Sequence, residues 1–160
     1  FQDVRLFEQM TVLDNILVVL TERNVFSSLF EKHKQYHLKK AEEVLQKIGL
    51  WEKRDQLAVN LSYGQRKLLE IARVLAMKAE IILLDEPFAG LFPEMIKVVS
   101  GIIKELKQKG KTVILIEHNM DLIRQLSDYV FVMDEGKLLA KGESHEVLEN
   151  REVVEAYLGE

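Results

Sequence analysis

The residues best equipped for chemistry lie in a few short runs. Asp85 and Glu86 are adjacent carboxylates placed between the apolar run Ile81-Ile82-Leu83-Leu84 and Pro87. An acidic pair at the end of a buried strand is costly unless something positive or hydrogen-bonding compensates it. A magnesium-bound phosphate would do so, with one carboxylate in the metal shell and the next orienting the attacking water. A solvated strand end also accounts for the dipeptide, and more simply. In Leu61-Ser62-Tyr63-Gly64-Gln65, Ser62 and Gln65 stand at capping-box spacing, which by itself predicts a well-capped helix start. The same geometry turns backbone N–H groups toward an anion, and Gly64 would let the backbone approach a phosphate closely. His118 follows a second apolar run, Val113-Ile114-Leu115-Ile116. It reads either as a structural hydrogen-bonder or, beside the strand bearing Glu86, as a contact to a terminal phosphate whose loss it senses.

The elements that must position these residues can be read from periodicity. Thr11 is a candidate N-cap for a helix carrying Leu13, Ile16, Leu17 and Leu20. Leu38, Ala41, Val44, Leu45 and Ile48 form a second stripe, stopped by Gly49, and residues 25–36 between them read as a loop or short helix. A third helix follows Gly64 with Leu68, Leu69, Ile71, Ala72 and Leu75. Thereafter strand and helix alternate. Residues 81–84 and 112–116 are predicted as strands buried on both faces. The helix between them carries Met95, Val98, Val99, Ile102, Ile103 and Leu106 and stops near Gly110. A helix over 121–126, a hairpin around Asp134-Glu135-Gly136 and two short helices complete the chain, the last capped by Asn150. Alternating strands and helices predict parallel pairing with right-handed crossovers, and chemistry at the carboxyl ends of the strands. Asp85-Glu86 and Glu117-His118 both fall there.

Composition narrows the function. The 160 residues are 48% hydrophobic and 30% charged, which fits one soluble globular unit. A net charge of -4 gives no basic footprint, so no nucleic-acid partner is expected. With no cysteine, disulfides and thiolate metal sites are excluded.

Taken in order, Gln2, Leu61-Ser62-Tyr63-Gly64-Gln65, the 81–87 run, Ala89-Gly90-Leu91 and His118 resemble the Q-loop, signature, Walker B, D-loop and switch-histidine series of ABC ATPases. The resemblance runs along essentially the whole chain. It implies an α/β fold of the P-loop NTPase-like ABC ATPase kind, N-terminally truncated, with a helical subdomain followed by a mostly parallel sheet and flanking helices. Residues 1–77 would hold the Q-loop and signature, and 78–160 the Walker B, D-loop and switch-histidine part with the C-terminal helices. The cofactors implied are ATP and Mg2+. Glu86 would then serve the hydrolytic water, His118 the γ-phosphate, and Gln2 and Asp85 the magnesium. Ser62, Tyr63, Gly64 and Gln65 would contact ATP held by an opposing subunit. Gln2 would also link nucleotide state to a transporter partner.

Within the family, the signature, Ile116-Glu117-His118-Asn119-Met120, the ending Glu155-Ala156-Tyr157-Leu158-Gly159-Glu160 and the opening Phe1-Gln2-Asp3-Val4-Arg5-Leu6-Phe7 are similar to branched-chain amino acid importers. Lipopolysaccharide-export ATPases share part of this pattern. The resemblance thus implies an ATP-hydrolysing energy-coupling subunit of a transporter for branched-chain or other hydrophobic amino acids. Its expected partners are membrane permease subunits and a second ATPase subunit in a head-to-tail dimer. Its expected place is cytoplasmic, peripheral on the inner face of the cell membrane, with Leu6 and Phe7 as candidate permease contacts or core residues. Two other readings are a soluble non-transport ABC ATPase and a degenerate, non-catalytic ABC-like binding module.

The chain departs from the family pattern in two places. No G-x-x-x-x-G-K-[ST] occurs in it, so the Walker A Ser/Thr for magnesium is absent, and the chain opens on Phe1-Gln2 rather than methionine. The expectation is a piece of a longer product that alone neither binds nor hydrolyses ATP, with open sheet edges, and that either self-associates or is only marginally stable. Phe92 stands where the family has aspartate or asparagine. It cannot make their hydrogen bonds, and packing at the turn before Pro93 is its expected role.

Overall fold

The computed structural model of the protein describes residues 6–20, 31–77 and 79–158. Its described residues form two compact units. One takes the chain up to Leu83 together with Pro87–Ile114, and the other takes Leu84–Glu86 with Leu115–Glu160.

The first unit is built on helices. α1 (Val12–Leu20) starts where expected, because the Thr11 hydroxyl accepts the Asp14 N–H at 3.0 Å and donates to the Asp14 carboxylate at 2.7 Å. α2 (Glu31–Lys47) is longer than its periodicity predicted. Residues 31–36, read as loop or short helix, are its first turns, and 25–30 lie outside the described residues. The charged residues there left no apolar period from which the helix could be read. α3 (Tyr63–Ala76) follows Ser62, and α1, α2 and α3 pack on one another through Val12, Ile16, Leu45, Leu69 and Ala72, all fully buried. α4 (Pro93–Gln108) buries Val99, Ile102, Ile103 and Leu106 and ends just before Gly110, whose φ of 73° suits a residue without a Cβ.

β1 (Ile81–Asp85) and β2 (Thr112–Ile116) pair with each other. The Thr112 N–H donates to Glu80 O at 3.0 Å and the Glu86 N–H to Ile116 O at 3.0 Å, so the two strands run parallel as predicted. The expectation that both are buried on both faces is not met. Ile82 and Leu84 are buried, but Ile81, Leu83, Ile114 and Ile116 are exposed, Leu83 by 73%. A continuous apolar run predicted cover on both sides, and among the described residues only one face of β1 has it.

The second unit holds α5 (Met120–Leu126), β3 (Tyr129–Asp134), β4 (Lys137–Glu143), α6 (Ser144–Val147) and α7 (Arg151–Leu158). β3 and β4 are antiparallel and joined at Glu135-Gly136, where φ values of 44° and 77° make the two-residue turn that follows strand twist. Val130, Val132, Val147 and Val153 form the core, with Met120, Ile123, Leu139 and Ala140 packed against it. Asn150 caps α7 as predicted, its side chain accepting the Glu152 N–H at 2.9 Å. Among the described residues, no helix is long and apolar enough to cross a membrane.

Candidate functional site

Glu86 and His118 are brought together in the second unit. β1 delivers Asp85 and Glu86 at its carboxyl end, and β2 delivers Glu117 and His118 at its own. The Glu86 N–H is spent on Ile116 O, which ties the two strand ends together. Glu86 then turns with φ 44°, a left-handed backbone that costs an L-residue about 1–2 kcal/mol. His118 Nδ1 stands 3.7 Å from Glu86 Oε1, with side chains 72% and 39% exposed. Directly after them, the Asn119 side chain accepts the N–H groups of Asp121 and Leu122 at 3.1 and 3.2 Å and starts α5. The pair therefore sits on backbone fixed on both sides while its functional atoms face solvent. A carboxylate and an imidazole so placed form an ion pair when the ring is protonated, and both can face the same reactant.

A second cluster lies in the first unit. The Ser62 Oγ accepts the Gln65 N–H at 3.3 Å and the Gln65 Oε1 accepts the Ser62 N–H at 3.1 Å, a complete capping box. Lys53 Nζ also donates to Gln65 Oε1 at 3.3 Å, and Arg66 Nη1 donates to Leu61 O at 3.2 Å. Gly64 is buried, and a Cβ on it would meet the Met95 Sδ at 2.6 Å. Its lack of a side chain thus serves close packing on α4, a need the sequence did not reveal. Gly90 has φ 71°, and a Cβ there would meet the Tyr63 ring at 2.9 Å. Tyr63 therefore covers Ala89-Gly90-Leu91, two stretches the sequence set 27 residues apart (Gly90 minus Tyr63).

Other expectations came out differently. Phe92 does not pack at the turn before Pro93; it is 70% exposed, since the helix begins beneath it and its side chain finds no pocket. Phe7 is about half exposed and lies 5.2 Å below the Arg73 guanidinium. Burial of that guanidinium lowers its pKa, against the raising effect of Glu70. Gln2 lies outside the described residues. Two residues were missed altogether. Asn15, fully buried, pairs with both the N–H and the carbonyl of Phe7 at 3.0 Å. Lys67, buried on α3, donates to Ala89 O at 3.1 Å. A polar residue inside an apolar helical stripe was the only available signal for either.

Among the described residues, no group of three or more His, Cys, Asp or Glu could hold a metal alone. The adjacent carboxylates of Asp85 and Glu86 at the end of β1 are a donor set that magnesium could use only together with other ligands. That ion commonly takes only one or two carboxylates and fills its shell with phosphate oxygens and water.

The fold is that of an ATP-binding cassette, and the chain belongs to the ABC transporter family, whose profile matches residues 1–89. It is 41% identical to the high-affinity branched-chain amino acid transport ATP-binding protein LivG of Salmonella typhimurium, over 100% of this chain and 66% of that protein. Among solved structures it is similar to the ADP conformation of an ATP-binding cassette of an ABC transporter, with 36% identity, TM-score 0.73, and coverage of 96% of this chain and 64% of the other. It is also similar to a dimeric, post-hydrolysis ATP-binding cassette bound to ADP and Pi, with 26% identity, TM-score 0.76, and 90% and 61% coverage. The chain thus spans slightly less than two thirds of the length of these proteins.

Proposed function

We propose that the chain, as part of the whole protein, belongs to an ATP-hydrolysing energy-coupling subunit of a transporter for branched-chain or other hydrophobic amino acids. The observation that carries the reading is the pairing of Glu86 with His118 at the carboxyl ends of two adjacent parallel strands. Glu86 orients and deprotonates the attacking water, and His118 meets the γ-phosphate and registers its release. Asp85 contributes one oxygen to magnesium, with Gln2 as a further contact. The ion neutralises charge on the transferring phosphate when it is bound.

Ser62, Tyr63, Gly64 and Gln65 reach the ATP of a second copy, so that two subunits close head to tail. The likeness to a dimeric cassette that holds ADP and Pi supports this pairing. The likeness to LivG, a branched-chain amino acid transport ATP-binding protein, supports the amino-acid substrate, and membrane permeases as partners and a place at the inner face of the membrane belong to the same proposal.

The 160 residues contain no phosphate-cradling G-x-x-x-x-G-K-[ST], and by themselves they do not bind ATP usefully. Titration calorimetry with MgATP tests both statements. The 160-residue chain should give no micromolar binding, while the whole protein should bind and, reconstituted with its permeases, turn over ATP. A whole protein that binds but never hydrolyses would leave the non-catalytic ABC-like module as the function.

A further inference from the structure

Lys67 is the feature of the first unit that the reading above does not use. It is 6% exposed and sits on α3, two residues past Gln65 of the capping box. Its Nζ donates to the Ala89 carbonyl at 3.1 Å and lies 6.0 Å from the centre of the Tyr63 ring. The same ring presses on Gly90, where a Cβ would come within 2.9 Å. An ammonium withdrawn from water is expensive unless it is well hydrogen-bonded, so a lysine here is a poor choice for packing alone. Methionine or leucine would fill the volume without desolvating a charge.

We propose that Lys67 and Tyr63 form a clamp that locks Ala89-Gly90-Leu91 to the start of α3, making Lys67 a positioning residue for the loop that follows the acidic pair in sequence. The ammonium holds the loop by its carbonyl and the ring holds it by its missing side chain. Gly90 is kept at φ 71° between them. Helix start and loop then move as one body, so a ligand met by Ser62 or Gln65 is reported to the residues after Glu86. This last step rests on the function proposed above; the clamp itself does not.

Two measurements separate them. Amide hydrogen exchange on the 160-residue protein reads the clamp. Lys67→Met and, independently, Tyr63→Leu should speed exchange at Gly90 and at Leu91, whose N–H donates to Phe88 O, by about 10-fold, and exchange in α2 by less than about 2-fold. Lys67→Arg should restore slow exchange, since it keeps the charge and a donor. Tyr63 is partly exposed, so Tyr63→Leu remains a folded test if Lys67→Met does not fold. The whole protein reads the coupling: Lys67→Met should lower kcat about 10-fold with KM for ATP changed less than about 2-fold, and Lys67→Arg should recover it. Unchanged loop exchange, or equally faster exchange everywhere, overturns the clamp. Faster loop exchange with unchanged kcat overturns the coupling alone. An unmutated whole protein with no ATP turnover sinks the functional reading and leaves the clamp standing.

Discussion

Ser62, where the backbone enters α3, and Glu86, where it leaves β1, are secured in different ways. Ser62 is held by reciprocal hydrogen bonds with Gln65, and the neighbouring Gly64, Lys67 and Tyr63 are packed against Met95, Ala89 and Gly90. Glu86 sits in a left-handed turn with its N–H donated to Ile116 O, its carboxylate 3.7 Å from His118 and both side chains partly open to solvent. The first region is stabilised by its own contacts. The second carries strain, which is where reacting groups are commonly found. Binding surfaces can be built rigid, whereas a carboxylate that must move a proton is kept accessible.

Substitutions can break this contrast. The largest effect is expected from Glu86→Gln in the whole protein, which should cut ATP turnover about 100-fold or more and leave the urea midpoint of the 160-residue chain unchanged. A parallel loss of stability would show that Glu86 is structural. Next, Gly90→Ala should destabilise the chain by about 1–2 kcal/mol in urea titration, because alanine must adopt the left-handed backbone beneath the Tyr63 ring. A neutral result would mean the loop is not pinned. Ser62→Ala should cost about 1 kcal/mol by the same titration, the usual worth of an N-cap.

Glu86→Gly should run the other way and stabilise by about 0.5–1 kcal/mol while abolishing turnover. Glu135→Gly, with the same φ of 44° in the hairpin turn, is its control and should stabilise without touching turnover.

The smallest effect concerns acid. Hydrogen bonds from Lys109 and then Lys47 hold the Glu105 carboxyl down to about 2. A depressed carboxylate contributes stability above its unfolded value and loses it as pH falls from about 4.5 toward 2. Glu105→Gln should remove that limb from an acid titration followed by circular dichroism, a change of about 0.2–1 kcal/mol for so exposed a cluster.

Much of this could be read in the residues. The capping box at Ser62, the turn at Glu135-Gly136 and the cap at Asn150 follow from local spacing, because each is decided within a few residues, and the parallel pairing of β1 with β2 follows from the strand–helix–strand order. Glu86 and His118 were placed at strand ends by the same alternation of apolar runs. What escaped the sequence depends on distant partners. Gly64 also seats Met95, which its neighbours in sequence did not announce, while Phe92 looked like packing and is exposed. Lys67, between Arg66 and Leu68, gave only the faint signal of a charge bordering an apolar helical stripe, because its burial depends on Ala89, 22 residues away. Ile81, Leu83, Ile114 and Ile116 promised a two-sided cover that the described residues supply on one side only.

Among the described residues, Ile81, Leu83, Ile114 and Ile116 leave one side of the paired strands open. Apolar side chains in a row on extended backbone are adhesive, so the 160-residue chain should behave as a colloid whose apparent mass grows with concentration. Light scattering across a dilution series reads this directly, without altering a residue of either cluster.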